Sequence, residues 1–112
     1  MLRAEQRLRR AADIAHVRQE GTAWRHPLLV LLACPNGRSY SRFGFVTSRR
    51  IGPAVVRNRV KRRLREVVRQ QVDDMTPGWD CLFIARTPIA TAKYRVVETA
   101  VNQLLQRANL RA

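Results

Sequence analysis

SRRIGPAVVRNRVKRRLREVVR, residues 48–69, is the stretch from which the rest of the chain is read. Gly52-Pro53 marks a start, because proline suits the first turn of a helix, where no N–H is needed and its fixed φ fits. Beyond it Val56, Val60, Leu64, Val67 and Val68 recur at three- and four-residue spacing, the pattern of an amphipathic helix entered from a turn. Nine cationic side chains, Arg49, Arg50, Arg57, Arg59, Lys61, Arg62, Arg63, Arg65 and Arg69, accompany a single acid, Glu66. At about 100° per residue, Arg57, Lys61 and Arg65 climb one edge of the apolar stripe. Asn58, Arg62 and Arg69 continue that face, and Arg59 and Arg63 lie on the other flank. Like charges at this spacing repel by about a few tenths of a kcal/mol per pair. A helix built for stability alone would intersperse glutamates, so the surplus calls for a polyanion. A disordered basic tail would lack the valine–leucine period. A membrane-surface helix would carry Trp or Phe on its apolar face, and this one has none. Nucleic acid fits best.

The 112 residues suit one domain, 1–112, with a modest core and an amino terminus, residues 1–8, expected to fray. A net charge of +14 is extreme for a chain this short; self-repulsion of that size destabilises the compact state and favours long-range attraction to a polyanion. Cys34 and Cys81 sit in the apolar runs PLLVLLACP and WDCLFIA and read as small buried hydrophobes. They form no CxxC pair and His16 and His26 stand alone, so no zinc site is supported. With no secretory pattern and no apolar run approaching membrane length, the expected location is the cytoplasm.

Outward from the basic helix, residues 10–20 read as a short helix with Gly21 as its stop. Residues 28–33 have a buried strand's composition, with a further short strand available in the first half. Pro35-Asn36-Gly37 is a turn of the type that joins hairpin strands. In the strand over 40–48, Phe43, Phe45 and Thr47 alternate with Arg42, Gly44 and Val46. Residues 79–85, WDCLFIA, are too apolar for an edge strand, and residues 91–108 return to helical spacing with Tyr94, Val97, Ala100, Val101, Leu104 and Leu105 inward. The order helix, strand, strand (with a possible extra strand), helix, strand, helix predicts an α+β fold, a two-layer sandwich of helices and one sheet.

Catalytic chemistry is sparse. The acids are scattered, and Asp73-Asp74 before a turn reads as an exposed cap, leaving any protein metal ligand unknown. No phosphate loop and no nucleophile–base spacing is present, so no catalytic residue is assigned. Tyr40, Phe43, Phe45 and Trp24 serve either as stacking platforms for unpaired bases or as core packing, and spacing leaves both open. Folded or single-stranded RNA suits a basic helix between strands better than duplex DNA does.

Arg57-Asn58-Arg59, followed by Val60-Lys61-Arg62-Arg63-Leu64-Arg65, resembles the signature of the bacterial ribonuclease P protein subunit family. The wider stretch FGFVTSRRIGPAVVRNRVKRRLRE, the segment LRRAADIAHVRQEGT and the segment WDCLFIARTPIA are similar to the same family, over roughly residues 8–108. The resemblance implies an α/β sandwich with a left-handed βαβ crossover through the basic helix. It implies a catalytic RNA as partner, one protein per RNA and no membrane. With Mg²⁺ held mainly by RNA, that assembly removes the 5′ leader of precursor tRNA. Arg49, Arg50, Arg57, Asn58, Arg59, Lys61, Arg62, Arg65 and, at the helix end, Arg69 would carry the RNA contact. The leader would lie in a cleft between the first helix and the sheet. Aromatic residues of the family fall at the places of Ile14 and Arg18 and near Leu32, none aromatic here, which leaves Phe43, Phe45 or the charge of Arg18 to compensate. The competing readings are a general or ribosomal RNA-binding protein and a protein nuclease using His16 or His26.

Overall fold

Alternation along the apolar runs builds one sheet with two unlike faces. The computed structural model describes residues 2–112. Its strands are β1 (Thr22–Arg25), β2 (Leu29–Pro35), β3 (Arg42–Val46) and β4 (Trp79–Ala85), and its helices are α1 (Ala11–Glu20), α2 (Ala54–Arg69) and α3 (Tyr94–Arg107). The strand order is β1-β2-β4-β3. β1 and β4 each pair antiparallel with β2, whereas β3 pairs parallel with β4, so α2 lies in the crossover between two parallel neighbours. This is the expected α+β architecture, and the most apolar strand, β4, is interior as its composition required.

Side-chain alternation sends Leu29, Leu31, Ala33, Phe43, Cys81 and Phe83 to one face, where they join the buried side chains of α2 and α3 in the main core. From α2 this core takes Val60, Leu64, Val67 and Val68; from α3 it takes Val97, Ala100, Val101, Leu104 and Leu105. Each such aliphatic side chain contributes about 1.5–3 kcal/mol of burial, so α2 is held by four of them against the mutual repulsion of its charges. The opposite face has a smaller cluster, Leu8, Val17, Cys34 and Leu82, beneath α1. Both cysteines are buried and unbonded. Among the described residues, no helix is long and apolar enough to cross a membrane.

Two expectations change, and two glycines gain a reason. The Asn36-Gly37 turn forms, with Gly37 at φ 69°, but it joins no hairpin: β4 inserts between β2 and β3, and the tight hairpin of the sheet is β1–β2. Residues 2–8, expected to fray, lie against the sheet. Leu2 and Leu8 are buried, the Leu8 N–H donates to the Phe43 carbonyl at 2.8 Å, and Arg7 bridges Phe43 in parallel along the outer edge of β3. Their apolar side chains anchor a segment whose composition is otherwise basic. Gly21 stops α1 without the left-handed conformation, at φ −73°; a Cβ there would lie 2.4 Å from the Val17 carbonyl oxygen, so close backbone approach is what requires glycine. Gly44 likewise admits Leu8, whose carbonyl oxygen would stand 3.0 Å from an added Cβ.

Candidate nucleic-acid interface

Burial of one stripe of α2 fixes which charges remain for a partner. Arg59 turns inward along the protein surface and Nη2 donates to the Ala90 carbonyl at 2.9 Å; Arg63 Nη1 reaches the Ala92 carbonyl at 3.3 Å. These two bonds tie the flank of α2 to the turn Thr87–Thr91 that follows β4. Arg69 pairs with Glu66 at 2.7 Å, and its hydrogen bonds are the main cause that draws the Glu66 carboxyl below its ordinary value. That leaves Arg49, Arg50, Arg57, Lys61, Arg62 and Arg65, which make no ion pair among the described residues. Arg49 and Arg50 stand exposed on the short 3₁₀ turn Arg49–Ile51, pinned by buried Ile51. Gly52, at φ 147°, then redirects the chain into α2 in a conformation other residues resist. Asn58 is exposed beside them, and the Arg57 Nε is buried without an acceptor.

The α1 face of the sheet forms a second surface. Ile14, Leu32, Val46 and Ile84 lie half-buried around its cluster, and Arg18 is exposed on α1. Arg42, on β3, binds the whole surface together. It donates to Asp80 on β4 through Nε at 2.8 Å and Nη2 at 2.6 Å, and through Nη1 to Asp13 on α1 at 3.2 Å. Asn36 adds a donation to Asp80 at 2.9 Å. Burial pushes the Asp80 carboxyl up, yet the bonds from Arg42 and Asn36 and the charge of Arg42 outweigh it and hold the group below its ordinary value. Sequence reading missed this clamp. The signal was present: a lone acid inside WDCLFIA needs a buried partner.

The leader candidates separate. Ile14, Arg18 and Leu32 belong to the α1 face. Phe43 and Phe45 point to the other side: Phe43 is fully buried in the main core, and Phe45 stacks on Phe83 with centroids 5.7 Å apart and planes inclined by 13°. Neither aromatic therefore lies on the floor of the α1–sheet cleft. At the outer edge of β3, however, a cavity of about 610 Å³ brings Ile14, Phe43, Phe45, Arg62 and Arg65 together with the amino-terminal segment. His26 Nδ1 accepts the Leu28 N–H at 3.0 Å and shapes the β1–β2 turn, and His16 is exposed on α1. Asp73 and Asp74 are exposed in the turn Val72–Asp74.

With the geometry in place, similarity to known proteins is informative. Residues 2–109 match the family model described as Ribonuclease P. The ribonuclease P protein component of Herpetosiphon aurantiacus is 43% identical over 109 residues, spanning 97% of this chain and 89% of that one. That of Roseiflexus castenholzii is 45% identical over 105 residues, spanning 93% and 86%. Among solved structures, the RNase P protein of Staphylococcus aureus superposes with a TM-score of 0.89 at 24% identity, covering 96% of this chain and 98% of that one, which supports the fold. The protein from Thermotoga maritima gives 0.83 at 31% identity, covering 90% and 96%.

Proposed function

Since this chain belongs to the ribonuclease P protein family, we propose that it binds the catalytic RNA through α2 and the preceding turn, holds the 5′ leader of precursor tRNA on its α1 face, and so aids removal of that leader. The observation that carries this reading is the set of cations on α2 and the Arg49–Ile51 turn that no carboxylate among the described residues pairs with. Phosphates supply the missing counter-charge, and each contact releases condensed counterions. Added cationic surface also lowers the repulsion between two RNA strands brought together, which reduces the Mg²⁺ needed for cleavage.

The side chains support this division of labour. Mg²⁺ is assigned mainly to the RNA, and in keeping with this no group of three or more His, Cys, Asp or Glu converges among the described residues. His26 has one ring nitrogen committed to the backbone, and neither histidine is paired with a carboxylate that would orient it as a base. On the α1 face Ile14 and Leu32 offer apolar contact without an aromatic plane, and Arg18 adds charge at the rim. Leader binding there is more electrostatic than stacking in character.

Single-turnover cleavage of a precursor tRNA by the catalytic RNA at low Mg²⁺, with and without the chain, tests the reading. Rescue is expected, and it should be lost in the triple variant Arg57→Ala, Lys61→Ala, Arg65→Ala, with a shallower dependence on salt. RNA binding without any change in cleavage would replace this reading with a general RNA-binding role. Cleavage by the chain freed of all RNA would overturn the assignment of chemistry to RNA.

A further inference from the structure

We propose that the cavity at the outer edge of β3 receives a single nucleotide extruded from an RNA strand, with its base on the apolar lining and its phosphate against the arginines. The inference rests on the RNA-binding reading above and extends it to the amino-terminal segment, which nothing so far has given a role. Its apolar lining includes Leu8, Ile14 and Phe45, brought together where the sheet ends. Its basic lining is Arg7 and Arg9 of the amino-terminal segment with Arg62 and Arg65 of α2.

Charge decides the class of ligand. The single acid of the wall, Glu66, already accepts hydrogen bonds from Arg69 on both oxygens and from Gln70. Four arginines thus line the cavity, and among the described residues of its wall no carboxylate is left free to balance them. Arg7 has its backbone bridged to β3 and its Nε buried without an acceptor. A lining both apolar and cationic excludes a purely inorganic anion, which would leave the apolar part empty, and a neutral apolar compound, which would leave the arginines unpaired. A base with its phosphate supplies both parts. The volume, about 610 Å³, lies within the range of roughly 300–1,000 Å³ usual for such sites. Unstacked bases are the parts of RNA that proteins grasp most specifically, by apolar, aromatic and guanidinium contacts. Position points to a strand rather than a free nucleotide, because Arg62 and Arg65 belong at once to the cavity lining and to the open cationic face of α2. An RNA backbone following that face arrives at the cavity mouth.

The test uses the full chain labelled at methyl and aromatic carbons, titrated with a single-stranded pentaribonucleotide, adenosine 5′-monophosphate, adenosine and inorganic phosphate. The pentaribonucleotide is expected to shift Leu8 and Phe45 resonances in saturable fashion, with the mononucleotide doing so more weakly. Arg7→Gln with Arg9→Gln should weaken the oligonucleotide's effect by roughly tenfold, as expected for lost hydrogen bonds to a charged group. Three results would overturn the proposal: shifts confined to Leu32, Val46 and Ile84, equal shifts from inorganic phosphate alone, or shifts from the mononucleotide that the oligonucleotide fails to produce. The cleavage rescue described above is read separately on the same preparations. Rescue with silent cavity resonances removes only the cavity proposal, whereas cavity shifts without rescue support the nucleotide site and remove the role in leader processing.

Discussion

Arg42 grips Asp80 in a two-bond fork, Nε to Oδ1 at 2.8 Å and Nη2 to Oδ2 at 2.6 Å, across the parallel pair β3–β4. The same guanidinium reaches Asp13, so one side chain fixes α1 above the sheet. The Asp80 side chain is only 4% exposed, and Arg42→Ala would leave its charge buried and unpaired. We expect that variant to lose about 3 kcal/mol, near the low end for broken buried pairs because Arg42 keeps some solvent contact. Because the folded-state pKa of Asp80 is depressed, its contribution is fully present above the ordinary carboxylate value. It is lost as pH falls through the depressed value. Urea melts of wild type, Arg42→Ala and Asp80→Asn from neutral to acid pH check both points: the gap between wild type and Asp80→Asn should be largest near neutrality and close in acid.

Arg59 and Arg65 sit on one helix and should fail differently. Arg59→Ala removes the bond to the Ala90 carbonyl and should cost about 1–2 kcal/mol of folding stability, with a smaller effect on RNA affinity. Arg65→Ala, exposed and unpaired, should leave the melting midpoint unchanged or slightly higher, since it relieves repulsion with Lys61. If Arg65 meets a phosphate, the slope of log affinity against log salt falls by about 0.7–0.9. Equal slopes for wild type and Arg65→Ala would remove that contact from the interface.

Gly44→Ala should lever the amino-terminal segment away from β3. The new Cβ would meet the Leu8 carbonyl oxygen and Leu82 Cδ1 at 3.0 Å, and the first of these is backbone. The expected cost is about 1–3 kcal/mol, accompanied by faster exchange of the Leu8 amide, whose bond to Phe43 must stretch. Unchanged protection at Leu8 would show that Leu82 alone absorbs the strain.

Restoring a ring to the α1 face should tighten leader binding. Leu32→Tyr, at a half-buried position beside Ile14, adds a stacking plane where the chain now has an aliphatic side chain. Affinity for leader-bearing over leaderless substrate should rise by about 1–3 kcal/mol if one base stacks. Arg18→Ala should lower the same ratio; no change in either variant would place the leader elsewhere.

The basic helix and strand β4 were legible in the sequence because each is a local pattern, a period of three and four in one and an unbroken apolar run in the other. Alternation also grouped Phe43 with Phe45, away from Arg42 and Gly44. It could not say which group meets the larger core, since that depends on the α2 and α3 side chains that cover Phe83, distant in sequence. The same limit explains the Asn36-Gly37 turn. Its residues encode the bend, but whether the flanking strands pair is settled by β4, more than forty positions away, which bonds to both. The amino terminus misled through composition: over residues 1–10 four arginines outnumber two leucines, yet Leu2 and Leu8 decide its place. The cationic face of α2 was readable in full, whereas its division into free and committed arginines awaited the carbonyls of Ala90 and Ala92.

The strand order also bears on how this chain emerges from the ribosome. β4 lies between β2 and β3 but is translated after both, and after α2 as well. Until Ala85 has left the exit tunnel, β2 has only the short β1 for a neighbour and β3 has only the amino-terminal segment. The valine–leucine stripe of α2 then faces an unfinished sheet. At about 5–20 residues per second, a nascent chain spends seconds in this state, with its most cationic helix already outside and surrounded by ribosomal RNA. Closure of the sheet on arrival of β4 is therefore the step that turns an adhesive polycation into a defined surface.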